Sequence, residues 1–150
     1  MNEAIKAALR GLKNNDGGPF GCIIVKDGEI VGLGNNKVTS TNDPTAHAEV
    51  IAIRDACKNL DTFQLDGCTV YTSCEPCPMC LGAIYWARPE KVFYGSNKDD
   101  AAAVGFDDEF IYQEIELAYN ERSIPFEQVS RNDALQLFKQ WSETEGKEHY

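Results

Sequence analysis

Two short segments restrict this chain more than any other feature: Thr45-Ala46-His47-Ala48-Glu49 and Glu75-Pro76-Cys77-Pro78-Met79-Cys80. One imidazole and two thiolates make a three-ligand set for zinc, a borderline-soft ion that takes nitrogen and sulfur tetrahedrally. For that set to close, segments thirty positions apart in the chain have to meet. Cys77 and Cys80 are three residues apart, so one helical turn puts both sulfurs on one side. Both segments fall at predicted helix starts, where the partial positive charge of a helix amino-terminus favours thiolate over thiol.

The pattern around them supplies the scaffold. Ile5, Ala8, Leu9 and Leu12 have helical spacing over residues 4–13, and the Asn14–Pro19 cluster of turn formers ends that helix. Phe20–Val25 is an apolar β-rich run, Asp27-Gly28 is a hairpin signal, and Ile30–Leu33 is the return strand. A polar loop over 35–43 leads to a helix over 45–60 with Asp43 or Thr45 as its cap. Then come a strand at Gly67–Thr72, a helix at Pro76–Ala87, a strand at Lys91–Tyr94 and a loop over 95–105. Helices at Phe106–Leu117 and Asp133–Trp141 flank a short fifth strand at Phe126–Val129. An opening hairpin followed by alternating helix and strand predicts an α/β fold, a three-layer α/β/α sandwich around a mixed five-stranded sheet.

The chain has 150 residues, 43% of them apolar and 25% charged, which predicts a single domain over 1–150 and excludes disordered and fibrous classes. Its apolar runs, such as Cys22–Val25, are too short to span a bilayer. Met1 opens onto Asn2, Glu3 and Ala4 with no basic-then-apolar stretch, which predicts a cytoplasmic protein whose six cysteines stay reduced. Fourteen basic against 24 acidic residues leave a net charge of −10. Such a surface repels a phosphate backbone, so the expected partner is a small, weakly charged molecule and neither nucleic acid nor membrane.

Three protein ligands leave a fourth position for water, the pattern of a catalytic zinc, which lowers the pKa of that water to about 7. Glu49, two residues past His47, is a hard acidic donor beside a soft site, and its better role is proton shuttle. Blander readings exist for each part. A Cys-x-x-Cys also serves as a redox pair or as half of a structural zinc ribbon. Cys74 with Cys77, Cys80 and His47 would close a four-ligand structural site. Against that closure, Cys74 precedes Pro76 on a predicted strand end, and a closed site leaves Glu49 without a task.

His-Ala-Glu followed by Pro-Cys-x-x-Cys resembles the signature of the cytidine-deaminase-like zinc deaminase superfamily. Asn42–Glu49 is shared by members that act on bases, tRNA adenosine deaminases among them, whereas Thr72–Arg88, Gly105–Tyr112 and the aromatic end at Tyr150 resemble bacterial guanine deaminases. The resemblance runs from about Gly17 to the last residue. It implies one Zn2+ per chain held by His47, Cys77 and Cys80, with Glu49 as shuttle in the hydrolysis of guanine to xanthine and ammonia. It also implies that Asn36 hydrogen-bonds the base, that Phe20 packs under the ring, and that Ala48 and Trp86 line the pocket. Asp108 would face the N–H donors of guanine; adenine, with a bare acceptor at N1, would leave that carboxylate unpaired. In such enzymes the C-terminal segment closes the site, so residues 133–150, a helix and tail, are expected to swap in a homodimer and to bring Tyr150 over the pocket.

Ordinary alternatives stand beside these roles: a turn residue for Asn36, core packing for Phe20 and Trp86, a helix cap at Asp107 or Asp108, a frayed tail at His149. Cys22, Cys57, Cys68 and Cys74 read as buried packing residues. The rival functions are a tRNA adenosine deaminase, a deaminase of guanosine, cytosine or an aminotriazine, and a non-catalytic zinc-stabilised binding module. The first needs a cationic track, and Arg122, Arg131, Lys139 and Lys147 are scattered among acids.

Overall fold

The computed structural model describes residues 1–149 and forms two compact units, Met1–Asp108 and Glu109–Tyr150, taken separately below. In the first, strands β1 (Gly21–Lys26), β2 (Glu29–Asn35), β3 (Thr69–Cys74) and β4 (Lys91–Ser96) lie in the order β2-β1-β3-β4. β1 runs antiparallel to β2 and β3, and β3 parallel to β4. The sheet is therefore mixed, as expected, but among the described residues it has four strands and not five. Phe126–Val129 forms no strand. It follows Pro125 in the second unit, where the described residues form no strand whose ladder it could join. The hairpin turn has positive φ at both Asp27 (51°) and Gly28 (84°), the backbone that a tight two-residue turn between twisted strands requires.

Glycines decide how close the helices come. The β1–β2 register pairs Gly21 with Asn35 and Cys22 with Gly34, and successive residues of a strand face opposite sides. A Cβ on Gly34 would land on the carbonyl oxygen of Ala48, and one on Gly32 on that of Ala52. Helix α3 (Ala48–Leu60) thus lies directly on β2, with Ala48, Ala52 and Ala56 completing the contact. On the opposite face a Cβ on Gly21 would meet the Ala4 carbonyl of helix α1 (Asn2–Asn14). Two helices seated on opposite faces give the three layers. The core between α3 and the sheet holds Cys22, Ile24, Leu65, Cys68, Val70 and Ala87.

Several element bounds differ from the sequence pattern for local reasons. The helix expected from residue 45 begins at Ala48, because Asp43 accepts from Thr45 N (2.8 Å) and Oγ1 (2.7 Å) and so holds a turn instead of capping the helix. One turn of helix, α2 (Val38–Thr41), interrupts the polar loop. Helix α4 spans Pro78–Ala87. Where a loop was expected, α5 (Lys98–Ala102) is nucleated by a capping box in which the Asn97 and Asp100 side chains each bond the other's backbone N–H.

The second unit holds α6 (Glu109–Glu116) and α7 (Arg131–Glu143), neither with a buried residue. Glu114 accepts from Ser123 N (2.8 Å) and Oγ (2.9 Å), and the Arg122 guanidinium lies over the stacked rings of Tyr119 and Phe126. No helix among the described residues is long and apolar enough to cross a membrane.

Gly34→Ala has to push α3 off the sheet and should lower stability by roughly 1–3 kcal/mol, as overpacking does. Gly82, on α4 with nothing within 4 Å of an added Cβ, is the control. There the same substitution should add about 0.5–1 kcal/mol from helix propensity. Thermal unfolding of the two variants checks both signs.

Candidate active site

The first ligand of each motif is the residue on which a helix starts. His47 (φ −71°, ψ 155°) is the N-cap of α3, and Cys77 (φ −62°, ψ 168°) is the N-cap of α4, with Pro78 in its first turn. Neither side chain caps its own helix, so both are turned to other use. Nδ1 of His47 stands 3.5 Å from Sγ of Cys77 and 3.5 Å from Sγ of Cys80. Zinc bonded tetrahedrally at the usual lengths separates nitrogen from sulfur by about 3.5 Å, so the donor set fits the ion in kind and in spacing. Among the described residues this is the one such group, and its ligand atoms lie within 4.8 Å of one another. Cys74 is not part of it: its thiol points to the Asn97 carbonyl at 3.6 Å, which removes the four-ligand alternative.

The polar contacts polarise the group in advance. The neighbouring Cys80 sulfur, helped by His47, pulls Cys77 down to about 4 against burial. The adjacent Cys77 sulfur, then burial and the nearby Glu49, pushes Cys80 up. The bond to Cys77 raises His47 more than burial lowers it.

Glu49, 5% exposed, is the second residue of α3. Its Oε1 accepts from Thr72 Oγ1 at 2.9 Å and its Oε2 from Cys80 Sγ at 3.3 Å. Burial raises its pKa, opposed by its own backbone N–H and by the bonds from Thr72 and Cys80. Beside this cluster lies a second one built on backbone. Asn36, also 5% exposed, accepts through Oδ1 from Gly18 N (3.2 Å) and Val38 N (3.1 Å), and its own N–H bonds the Phe20 carbonyl (3.0 Å). Phe20 packs edge-on against Phe106, ring centres 4.9 Å apart. Asp108 is half-buried, and its carboxyl is raised by burial and then by the charge of Cys77. Glu75 Oε2 accepts from Lys98 N at 3.1 Å and so ties the Cys77 loop to the start of α5.

Other residues named from the sequence lie elsewhere. The Ala48 side chain is wholly buried against the sheet, leaving its backbone N–H in the first turn of α3 as what it can offer a ligand. Trp86 is six residues beyond Cys80 on α4, roughly 9 Å of helix rise, and is 64% exposed. Tyr150 lies outside the described residues. Thr72 and Phe106 were not singled out from sequence: one reads as a β-branched strand residue, the other as the first residue of a helix, although both lie inside the longer motif stretches.

The chain belongs to the family defined by the cytidine and deoxycytidylate deaminase zinc-binding region, whose profile matches residues 1–96. It is 56% identical over 150 residues to guanine deaminase of Bacillus subtilis (strain 168), covering all of this chain and 96% of that protein. The X-ray structure of guanine deaminase from Bacillus subtilis superposes with a TM-score of 0.96 at 56% identity, over 99% of this chain and 95% of that one. A tRNA-specific adenosine deaminase of Aquifex aeolicus (strain VF5) is 44% identical over 96 residues, 64% of this chain and 63% of that protein. The domain is thus a zinc-binding deaminase domain, and His47, Cys77 and Cys80 are the group in it that could hold the ion.

Cys74→Ala should leave one zinc per chain, whereas His47→Ala or Cys77→Ala should lose it, as read by elemental analysis. In the metal-stripped protein, Cys77 should stay a thiolate down to about pH 4 and become protonated below it. Iodoacetamide should therefore modify Cys77, and not Cys80, at pH 6. Modification that sets in only toward the ordinary thiol range near pH 8.5 would contradict this.

Proposed function

We propose that this chain is a zinc-dependent aminohydrolase that converts guanine to xanthine and ammonia. The observation that carries the reading is the placement of Glu49: a buried carboxylate next to the ligand group, with Oε2 turned to the Cys80 sulfur at 3.3 Å. When bound, zinc supplies a water that ionises near neutral pH. Glu49 takes a proton from that water on Oε2 and gives it to the ring nitrogen next to the amino-bearing C2. It then assists proton delivery to the departing amine, so that one water is consumed and one ammonia leaves. Since Oδ1 of Asn36 already accepts two backbone N–H groups, Nδ2 is the atom left to donate to an acceptor on the base. Phe20 and Phe106 supply an apolar wall for a ring, and Asp108 accepts from the N–H donors of guanine. The full-length identity to a guanine deaminase supports the substrate, since the match to the tRNA-specific enzyme ends after 96 residues.

The proposal extends to a homodimer that exchanges residues 133–150, with Tyr150 covering the base in the neighbouring site. Its support is the apolar surface each unit presents: Tyr85 (75% exposed) and Trp86 on α4; Leu137, Phe138 and Trp141 on α7.

Ammonia release from guanine, guanosine, adenine, cytosine and tRNA, with zinc measured alongside, tests the reaction; guanine should be the substrate turned over. Inert guanine would overturn the substrate, and no release from any of them would favour a zinc-stabilised binding module. Glu49→Ala should keep zinc yet lose about 10²- to 10⁴-fold in kcat. Asp108→Ala should cost about 10- to 100-fold in kcat/KM for guanine, the worth of a charge-assisted hydrogen bond. Light scattering should report twice the chain mass, and a monomer would remove the dimer.

A further inference from the structure

We infer that Thr72 is a positioning residue for this reaction: its hydroxyl holds one oxygen of Glu49 and leaves the other to carry every proton. The inference rests on the shuttle role proposed above for Glu49. Thr72 is the fourth residue of β3, a central strand, where it pairs with Cys22 on β1 and Tyr94 on β4 and is 0% exposed. The inward positions of β3 run Val70, Thr72, Cys74, and valine would fill the middle one with the same volume. A hydroxyl there has to be desolvated and needs a partner. It finds one 23 positions away in sequence, donating to Oε1 of Glu49 at 2.9 Å.

Two consequences follow for the carboxylate. The last torsion of a glutamate is broad and two-fold, so a carboxylate without an anchor rotates freely between its two oxygens. The neighbour that shares this wall, Cys22, has its thiol directed to the Ile23 carbonyl at 3.8 Å, so the anchor on Oε1 comes from Thr72. With the Thr72 hydrogen on Oε1, the proton taken from water lands on Oε2, the oxygen on the Cys80 side. The same oxygen then releases it to the base. Pick-up and delivery occur at one atom, with no rotation of the carboxylate between them.

Thr72→Val removes the hydroxyl and keeps the shape, and Thr72→Ser keeps the hydroxyl. kcat, KM, zinc content and thermal unfolding are measured for each, on guanine or on whichever base of the panel the wild-type protein turns over. In this way a wrong substrate and a wrong role for Thr72 give different results. Thr72→Val should retain one zinc per chain and a KM within about threefold of wild type, while kcat falls about 10- to 100-fold, the cost of a misplaced catalytic group. Thr72→Ser should stay within about threefold of wild type in kcat, since its hydroxyl can reach the same oxygen. A zinc-loaded Thr72→Val at wild-type kcat, or a Thr72→Ser as slow as Thr72→Val, overturns the inference. If Thr72→Val does not fold, Thr72→Ala takes its place against Thr72→Ser. Those two lack the same methyl and differ by one hydroxyl, and equal kcat values for them overturn the inference as well.

Discussion

The structure depends on a contact between backbones. α3 comes down close on the backbone of β2, because positions 32 and 34 of the strand are glycines and positions 48, 52 and 56 of the helix are alanines. That contact fixes the height of the first turn of α3 above the sheet. His47 and Glu49 both leave from that turn, and Thr72, on the same face of the sheet, meets Glu49 because nothing lifts the helix away. A methyl group at Gly34 would act on the ligand set from below without touching any ligand.

A second constraint is electrostatic. Two helices start on ligands, so the positive ends of two peptide dipoles converge where sulfur has to be anionic. The neighbouring Cys80 sulfur and His47 lower the Cys77 thiol, while Cys77 and burial raise that of Cys80, so the two sulfurs differ in acidity before any ion is bound. This polarisation comes from backbone and neighbouring sulfur, in a chain whose net charge is −10. The acidic surface and the cation site coexist because they act over different distances: exposed charge is screened within about 10 Å at ordinary ionic strength, whereas the ligand atoms lie within 4.8 Å of one another.

The ligand trio was legible in the sequence because its chemistry is compressed into two short segments. Hydrophobic period marked the hairpin, the helix after His47 and the strand before Cys74. What sequence did not carry was competition between equivalent local choices. Asp43 and Thr45 both suit a helix cap, and only the fold shows them bonded to each other with His47 taking the cap position. Asn97 and Asp100 read as loop residues until they are seen to close a capping box. Phe126–Val129 has a strand's composition but no strand to pair with among the described residues of its own unit. The direction of the Cys74 thiol and the partner of Thr72 are long-range facts, each linking residues 23 apart, and no window of sequence contains them.

Asn36 shows how little of a recognition code need reside in the side chain that delivers it. The amide has a donor end and an acceptor end and could present either. Here the N–H groups of Gly18 and Val38 claim the acceptor end, and Gly17 sits so close that a Cβ there would strike Oδ1. The polarity offered outward is therefore written by the main chain of the Gly17-Gly18 turn. A change in the path of that turn could invert the hydrogen-bonding letter at position 36 while every side chain around the site stayed the same.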